Sequence, residues 1–215
     1  MNTHYLVLTQ MRMLKTPMPT RWCERHMAVL TGREREVVRY VASGLKDREI
    51  AQLLVLETGT VKSHMYNVSS KLRVETRTQA SMLAVCAGMI SKEDTLILWR
   101  KYSPEILGPG IKPSAQWIAD RAVSMPLRER EIVRYAACGL TNNEIVRLLG
   151  ISQYTVRGLL VRAFDRLGVV SRSQLGMLTI MTGLITPDEV LSIWKQHKPE
   201  MFSRDGGTHG VLHRK

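Results

Sequence analysis

The sequence has few of the features on which enzymatic and metal sites depend. Its three cysteines, Cys23, Cys86 and Cys138, are an odd set without CxxC spacing, and its six histidines form no ligand grouping. It contains no paired carboxylates in a shared motif, no glycine-rich phosphate loop and no nucleophile motif. We therefore expect neither an enzyme nor a cofactor or metal. The cysteines have apolar or helical neighbours and are expected to be reduced core thiols.

Long hydrophobic runs and acidic residues are also scarce. No apolar stretch is long enough for a signal peptide or a membrane span, so we expect a cytoplasmic protein without a membrane partner. Lys and Arg outnumber Asp and Glu by 31 to 19, which gives a net charge of +12. Residues 1–110 and 111–215 each contribute +6. Such a surplus favours a polyanionic partner, most often nucleic acid, although it can also serve solubility alone.

One segment of the chain is repeated 95 positions later without a gap. Residues 33–62 match 128–157 most closely, and across 21–106 and 116–201 the two copies are identical at 29 of 86 positions. A fixed period marks a duplicated structural unit, so two units are predicted. Four tryptophans form repeated pairs and are expected to be core residues of flanking helices: Trp22 with Trp117, and Trp99 with Trp194.

The distribution of helix breakers gives the predicted domain organisation. Glycine and proline are concentrated in 107–113, between the copies, and glycine recurs after residue 203. The predicted segments are an N-terminal leader (1–20), a first helix-turn-helix domain (21–106), a linker (107–115), a second helix-turn-helix domain (116–202) and a flexible tail (203–215).

Helix signals are dense in both units, and alternation of period two is not sustained anywhere. Thr31 with Glu34, and Thr141 with Glu144, predict capping boxes, while Gly44 is suited to the left-handed position after a helix. The third helix of each unit has one apolar face, formed by Val61, Met65, Val68 and Leu72 in the first copy and by Val156, Leu160, Ala163 and Leu167 in the second.

These patterns predict an all-α fold of two tandem helix-turn-helix domains. Each domain is expected to be a four-helix unit with an extra tryptophan-bearing helix at its C-terminal end. The turn before the third helix has Gly150 and the cap Ser152 in the second copy, whereas the first copy has Val55 and Glu57 and so lacks both.

The motif L-T-x-R-E-R-E-V, followed by G-L, E-I-A, G-T-V-K-x-H and K-L-x-V, resembles the DNA-binding domain of the LuxR/NarL (GerE-like) transcriptional regulators. The resemblance covers residues 30–90 and 125–185. The second copy also resembles region 4 of sigma factors, which share the helical arrangement and read promoter DNA.

The resemblance implies that the third helix of each unit enters the major groove, where base edges present a distinguishable pattern. It places base contacts at Lys62, Ser63 and Tyr66, with Arg157, Gly158 and Val161 as their equivalents. Thr60 and Thr155 begin these helices and can bind phosphate. The other predicted DNA contacts flank these positions: Asn67, Lys71, Arg162 and Arg166. Four arginines of the first helices are expected to pair with neighbouring glutamates instead: Arg33, Arg35, Arg128 and Arg130.

Two functions remain open from the sequence. The first is a sequence-specific, double-stranded-DNA-binding transcriptional regulator associated with the nucleoid. The second is a protein-interaction factor, either an antagonist of another regulator or a protein that binds RNA polymerase. The apolar residues of Gly158-Leu-Leu-Val161 favour the second. Pairing through the fourth helices, near 77–88 and 172–183, would give an intramolecular pseudo-dimer or a homodimer.

Overall fold

The computed structural model describes residues 21–107 and 125–202, and within these ranges the chain is helical and has no strand. The predicted leader and tail, most of the predicted linker, and Trp117 lie outside the described residues. The helices of the first unit are α1 (Arg21–Met27), α2 (Gly32–Ala42), α3 (Asp47–Leu54), α4 (Thr58–Leu72), α5 (Arg77–Cys86), α6 (Lys92–Tyr102) and α7 (Pro104–Leu107). Those of the second are α8 (Leu127–Ala137), α9 (Asn142–Leu149), α10 (Gln153–Leu167), α11 (Arg172–Thr182) and α12 (Pro187–His197), followed by a 3-10 turn (Pro199–Phe202).

The predicted helix ends are confirmed. Before α2, the Thr31 hydroxyl accepts a hydrogen bond from the Glu34 amide at 3.3 Å, and the Glu34 carboxylate accepts one from the Thr31 amide at 2.8 Å. Thr141 and Glu144 form the same box before α9. Gly44 follows α2 with φ of +81°, a conformation that costs glycine no side-chain clash. Local sequence therefore determines where these helices begin and end.

The helices α6 and α12, which contain Trp99 and Trp194, are hydrogen-bonded to the C-terminal ends of α2 and α8. Trp99 and Trp194 are fully buried, as predicted, and their indole N–H groups donate to the carbonyl oxygens of Ser43 and Cys138 at 2.7 and 2.8 Å. Ser43 and Cys138 occupy equivalent positions in the repeat. The helices α6 and α12 are therefore integral parts of the cores of their units.

All three cysteines are buried free thiols. Burial raises the pKa of the Cys138 thiol to about 12. A hydrogen bond with Cys23 and burial together raise the pKa of Cys86 well above its ordinary value. The thiolate form is suppressed at neutral pH, as expected for residues that pack as small apolar groups.

The two units pack against each other through α5 and α11. Residues 78–86 of α5 and 173–182 of α11 are buried on every side, polar side chains such as those of Gln79 and Gln174 included. A Cβ atom on Gly44 would lie 2.8 Å from the Gln174 amide nitrogen, and one on Gly139 would lie 2.8 Å from that of Gln79. The same pair of repeat positions therefore meets twice with the roles exchanged, as in a two-fold symmetric interface.

Other contacts between the units have no equivalent in the repeat. The Lys198 ammonium, buried in the second unit, pairs with Glu75 of the first unit and with Glu144 of its own unit. Trp22 stacks on Phe202 with ring centroids 4.4 Å apart. The packing of α5 against α11 is a contact within one chain.

Candidate nucleic-acid interface

Helix α4, the predicted third helix of the first unit, has one buried face and one exposed face. Val61, Met65, Val68 and Leu72 are buried, as their spacing predicts. The predicted base-contact positions Lys62, Ser63 and Tyr66 all lie on the opposite, exposed face, and 76% of Tyr66 is accessible to solvent. Thr60 and Asn67 are also exposed. The helix therefore presents a polar face that is free to enter a groove.

In the second unit, α10 has the same two faces. Its buried face comprises the four predicted residues and Leu159. Thr155, Arg157, Val161 and Arg162 are exposed, and Gly158 is half-buried. A Cβ atom on Gly158 would meet nothing within 4 Å, so this position is also open to an incoming molecule.

Tyr154 is an exposed residue that was not among the predicted contacts. Its side chain is 88% exposed at the start of α10, on the same surface as the predicted contacts. Its repeat equivalent is Gly59. An aromatic residue at the beginning of a recognition helix, outside the apolar spacing of that helix, is a signal that could have identified it.

The two helix-turn-helix turns differ as the sequence predicts. Gly150 follows α9 in the left-handed conformation, with φ of +61°, whereas Val55 adopts that conformation after α3, with φ of +52°. Ser152 caps α10, but the side chain of Glu57 makes no capping hydrogen bond to α4. Because a β-branched residue is strained in the left-handed region, the first turn is less favourable than the second.

The predicted phosphate contact of Thr155 has a competitor within the chain. The amide of Thr155 donates to the Ser152 hydroxyl at 3.0 Å, and the two hydroxyls lie 2.9 Å apart. A phosphate at Thr155 would have to share these groups with the cap. In the first unit, Glu57 occupies the cap position of α4 and its side chain makes no capping hydrogen bond, so Thr60 has no such competitor.

Lys71 lies at the far end of α4 and binds a buried carboxylate. Its ammonium lies 2.8 and 2.7 Å from the two oxygens of Glu34, whose side chain is 5% exposed. Burial alone would raise the pKa of Glu34, but hydrogen bonds from Lys71 and Thr31 outweigh it and lower that pKa below its ordinary value. Lys71 therefore joins the recognition helix to α2, and its role as a DNA contact stays a prediction.

The second unit repeats this contact with two arginines. Arg166, the equivalent of Lys71, lies 3.2 Å from one oxygen of the buried Glu129, and Arg162 lies 3.6 Å from the other. The side chain of Arg162 is 64% exposed, against 38% for Arg166. Arg162 is thus the more available of the two for an external phosphate.

Four arginines of α2 and α8 were predicted to pair with neighbouring glutamates, and two of these pairs are confirmed. Arg33 pairs with Glu36 at 2.7 Å, and Arg128 pairs with Glu131 at 2.6 Å. The prediction for Arg35 is wrong, because its guanidinium donates to the carbonyl oxygen of Ala28 at 3.0 Å. Arg130 donates to the Met125 carbonyl at the same distance. A main-chain carbonyl outside the helix is a partner that sequence spacing does not reveal.

Within residues 21–107 and 125–202, no helix combines the length and apolar character that a membrane crossing requires. The same residues contain no group of three or more His, Cys, Asp or Glu side chains placed to hold a metal ion.

Comparison with protein families gives a match in each unit. The model for "Bacterial regulatory proteins, luxR family" matches residues 28–84 and 124–179, which together exceed half of the chain. Each matched segment contains the helix-turn-helix of its unit, together with most of α5 in the first unit and most of α11 in the second. No solved structure matches the chain significantly.

Curated relatives are similar over short segments. The chain is 47% identical over 60 residues to the transcriptional regulatory protein LnrK of Bacillus subtilis, covering 28% of this chain and 27% of LnrK. It is 40% identical over 60 residues to the CsgBAC operon transcriptional regulatory protein of Escherichia coli, covering 28% of each. It is 43% identical over 56 residues to the response regulator VraR of Staphylococcus aureus, covering 26% of this chain and 27% of VraR. The chain thus spans between a quarter and a third of the length of these relatives.

Proposed function

This chain belongs to the LuxR family of bacterial regulatory proteins, and on that premise we propose that it is a sequence-specific transcriptional regulator that binds double-stranded DNA. The observation that carries the proposal is the pair of helices α4 and α10. Each has a buried apolar face and an exposed face with Lys62 or Arg157 at equivalent positions. A helix of this kind fits the major groove, where such side chains distinguish base pairs.

The proposed mode of binding is a pseudo-dimer within one chain. Two-fold symmetric DNA-binding proteins place two recognition helices in successive major grooves, about 10 base pairs apart. Here α5 and α11 occupy each other's apolar surfaces, and the reciprocal contacts at Gly44 and Gly139 give the two units a two-fold relation. A covalent connection between the units raises the effective concentration of each for its half-site. One chain would then do the work of a dimer.

The net charge supports the same partner. A charge of +12, divided equally between the halves, suits a ligand with one phosphate charge for each nucleotide. We propose that the protein acts on promoter or operator DNA in the cytoplasm, associated with the nucleoid. The names of the relatives LnrK and CsgBAC operon regulator describe regulation of transcription, and we extend that role to this chain.

Binding-site selection from a random duplex library, with the purified full chain, tests the proposal. We expect an enriched motif, and we expect the logarithm of affinity for it to fall linearly with the logarithm of salt concentration, by about 0.9 per phosphate contacted. A flat salt profile or the absence of any enriched sequence would contradict the proposal.

Two alanine variants distinguish the roles on the proposed interface. Lys62→Ala should relax the base preference, whereas Arg162→Ala should weaken all sequences about equally, because it is expected to hold phosphate. Lys195→Ala removes an exposed lysine from α12, outside both recognition helices, and is the charge-matched control. Unchanged operator affinity in both Lys62→Ala and Arg157→Ala would mean that neither helix lies in the groove.

A protein-interaction factor is the second candidate, and one observation favours it. Tyr154 and Val161 are 88% and 59% exposed on α10, and exposed apolar side chains are more common in protein interfaces than on free surfaces. Purified RNA polymerase is the probe for this candidate. Saturable binding to polymerase that is lost in the double variant Tyr154→Ala/Val161→Ala, together with no enriched DNA motif, would favour it over the regulator.

A further inference from the structure

The two recognition helices have diverged far more than α2 and α8, the helices on which they pack. In α2 and α8, 8 of 11 aligned positions are identical, whereas in α4 and α10 only 3 of 15 are. Those three are Thr60, Val61 and Leu72, and the last two are buried. Of the exposed residues of α4, only Thr60 is unchanged in α10, so the units differ in the surface that these helices present.

The exposed residues differ in the bases that their chemistry suits. Lysine and arginine both donate to the acceptors of guanine, so Lys62 and Arg157 are similar in this respect. Asn67, whose amide suits adenine, is replaced by Arg162. Tyr66 is replaced by Val161, whose methyl groups suit the methyl group of thymine.

An exposed aromatic side chain is also displaced along the helix. The first unit has Gly59 and Tyr66 where the second has Tyr154 and Val161. These two positions are seven residues apart, so they share a face and are separated by about 10 Å along the axis. Both tyrosines are more than three-quarters exposed. With base pairs about 3.4 Å apart, the aromatic contact would shift by at most about three base pairs between half-sites.

A symmetric frame thus presents unlike contact surfaces. The reciprocal contacts of Gly44 with Gln174 and of Gly139 with Gln79 relate the units by an approximate two-fold axis. A homodimer that binds DNA in this way has identical helices and therefore reads a palindrome. Because both units belong to one chain here, each helix can have its own sequence.

We propose that the operator of this protein consists of two inverted half-sites of unlike sequence. The half-site at α4 has guanine and adenine opposite Lys62 and Asn67. The half-site at α10 has guanine opposite Arg157 and thymine opposite Val161, with a further contact from Tyr154 at most about three base pairs away. This inference rests on the proposed function, because it specifies the DNA that the same interface would recognise.

Selection with the full chain from a random duplex library is the first test. We expect a two-part motif whose halves differ in sequence and lie about 10 base pairs apart, centre to centre. A palindromic motif, or a motif with one half-site only, would overturn the inference and leave DNA binding itself intact. The absence of any enriched motif would instead reject the proposed function.

A graft of contact residues is the second test. Arg157→Lys, Gly158→Ser and Val161→Tyr together give α10 the side chains of α4 at these three positions. Arg157 and Val161 are exposed, and the space beside the half-buried Gly158 is open, so the fold should accept them. We expect the second half-site alone to change toward the first, so that a near-palindrome is preferred over the original operator by about 5- to 150-fold, the range for one specific base contact.

The reciprocal graft Lys62→Arg, Ser63→Gly and Tyr66→Val is the matched control, because it should alter only the first half-site. Thermal unfolding of both grafts separates a loss of fold from a change of specificity. If either graft impairs folding, the single variants Val161→Tyr and Tyr66→Val carry the same comparison. A folded variant that retains the wild-type preference at its own half-site would overturn the assignment of that helix.

Discussion

The first and second units differ in how each stabilises its recognition helix. In the first, the turn contains the strained residue Val55, and α4 has no side-chain cap. In the second, Gly150 and Ser152 provide a relaxed turn and a cap. The buried positions of the two units correspond closely across the repeat. This pattern indicates that the fold restricts the inner faces of both units, while the outer faces and the turn have varied independently.

A second difference concerns the buried carboxylate beneath each recognition helix. Glu34 has one cation, Lys71, whereas Glu129 has Arg166 and, at 3.6 Å, Arg162. The second unit therefore keeps a cation near the carboxylate when one is drawn away, for example to a phosphate. Loss of the single cation in the first unit leaves a buried charge with hydrogen bonds from Thr31 alone.

Breaking the contact between the units should have the largest effect. Gly139→Ala adds a methyl group 2.8 Å from the Gln79 amide nitrogen, at a residue with φ of +82°. Steric clash and backbone strain together should lower the free energy of unfolding by about 2–4 kcal/mol in urea titrations.

Two other glycines separate the components of that effect. Gly150→Ala has the unfavourable φ but no neighbour within 4 Å, and should cost only about 1 kcal/mol. Gly158→Ala has neither problem and should be neutral or stabilising by up to about 1 kcal/mol, because alanine favours helix. Equal losses for Gly139→Ala and Gly150→Ala would show that the close contact of Gly139 with α5 contributes little.

Removing the buried ion pairs should affect the first unit more than the second. Lys71→Ala leaves Glu34 without its cation and should cost about 1–2 kcal/mol at neutral pH, less than for a fully buried pair because solvent reaches Lys71. Arg166→Ala should cost about half as much, since Arg162 remains beside Glu129. Urea unfolding of both variants measures the difference, and a larger loss in Arg166→Ala would reverse the comparison.

The pH dependence of the Lys71→Ala effect gives an independent check. The folded-state pKa of Glu34 lies below its ordinary value of 4.5, so its stabilising contribution is present above that value and is lost as the pH falls through the folded pKa. The difference between wild type and Lys71→Ala should therefore be greatest at neutral pH and disappear in acid. A difference that persists unchanged in acid would point to lost packing of the lysine stem.

Relieving the strained turn should make the first unit more like the second. Val55→Gly removes a β-branched residue from the left-handed region, and Val55 is 90% exposed, so little packing is lost. The relief of strain exceeds the entropic cost of glycine, and a gain of about 0.5–1 kcal/mol is expected. Thermal unfolding should show a higher midpoint for Val55→Gly, whereas Val55→Ala, which retains most of the strain, should change it less.

The smallest predicted effect concerns the arginines that begin α5 and α11. Arg77 pairs with Asp47 at 2.6 Å, but the equivalent Arg172 donates to Asn142, and burial lowers the pKa of Arg172. Asn142→Asp supplies a carboxylate near this guanidinium and at the start of α9, and should stabilise by about 0.3–1 kcal/mol. Asp47→Asn should have the opposite sign in the same calorimetric measurement. Matching signs for the two variants would contradict the ion-pair explanation.

The candidate site was predictable where it depends on one helix. Period 3.6 fixes which residues of α4 and α10 face the core, so Lys62, Tyr66 and Arg157 were correctly placed on the exposed face. The partners of Lys71 and Arg166 were missed because each lies 37 positions away, on a helix whose contact with the recognition helix no local pattern encodes. Tyr154 was missed because it precedes the apolar residues that define the period.

The sequence by itself determined the duplication, the helices, their caps and their outward faces, because all of these follow from residues a few positions apart. Only the tertiary structure decided how the units meet. The helices α5 and α11 are buried on all sides, so neither has a single buried face whose periodicity would indicate its partner. The bridge from Lys198 to Glu75 spans 123 positions and has no equivalent in the repeat. Such contacts arise from packing between distant segments, which the spacing of residues along the chain does not specify.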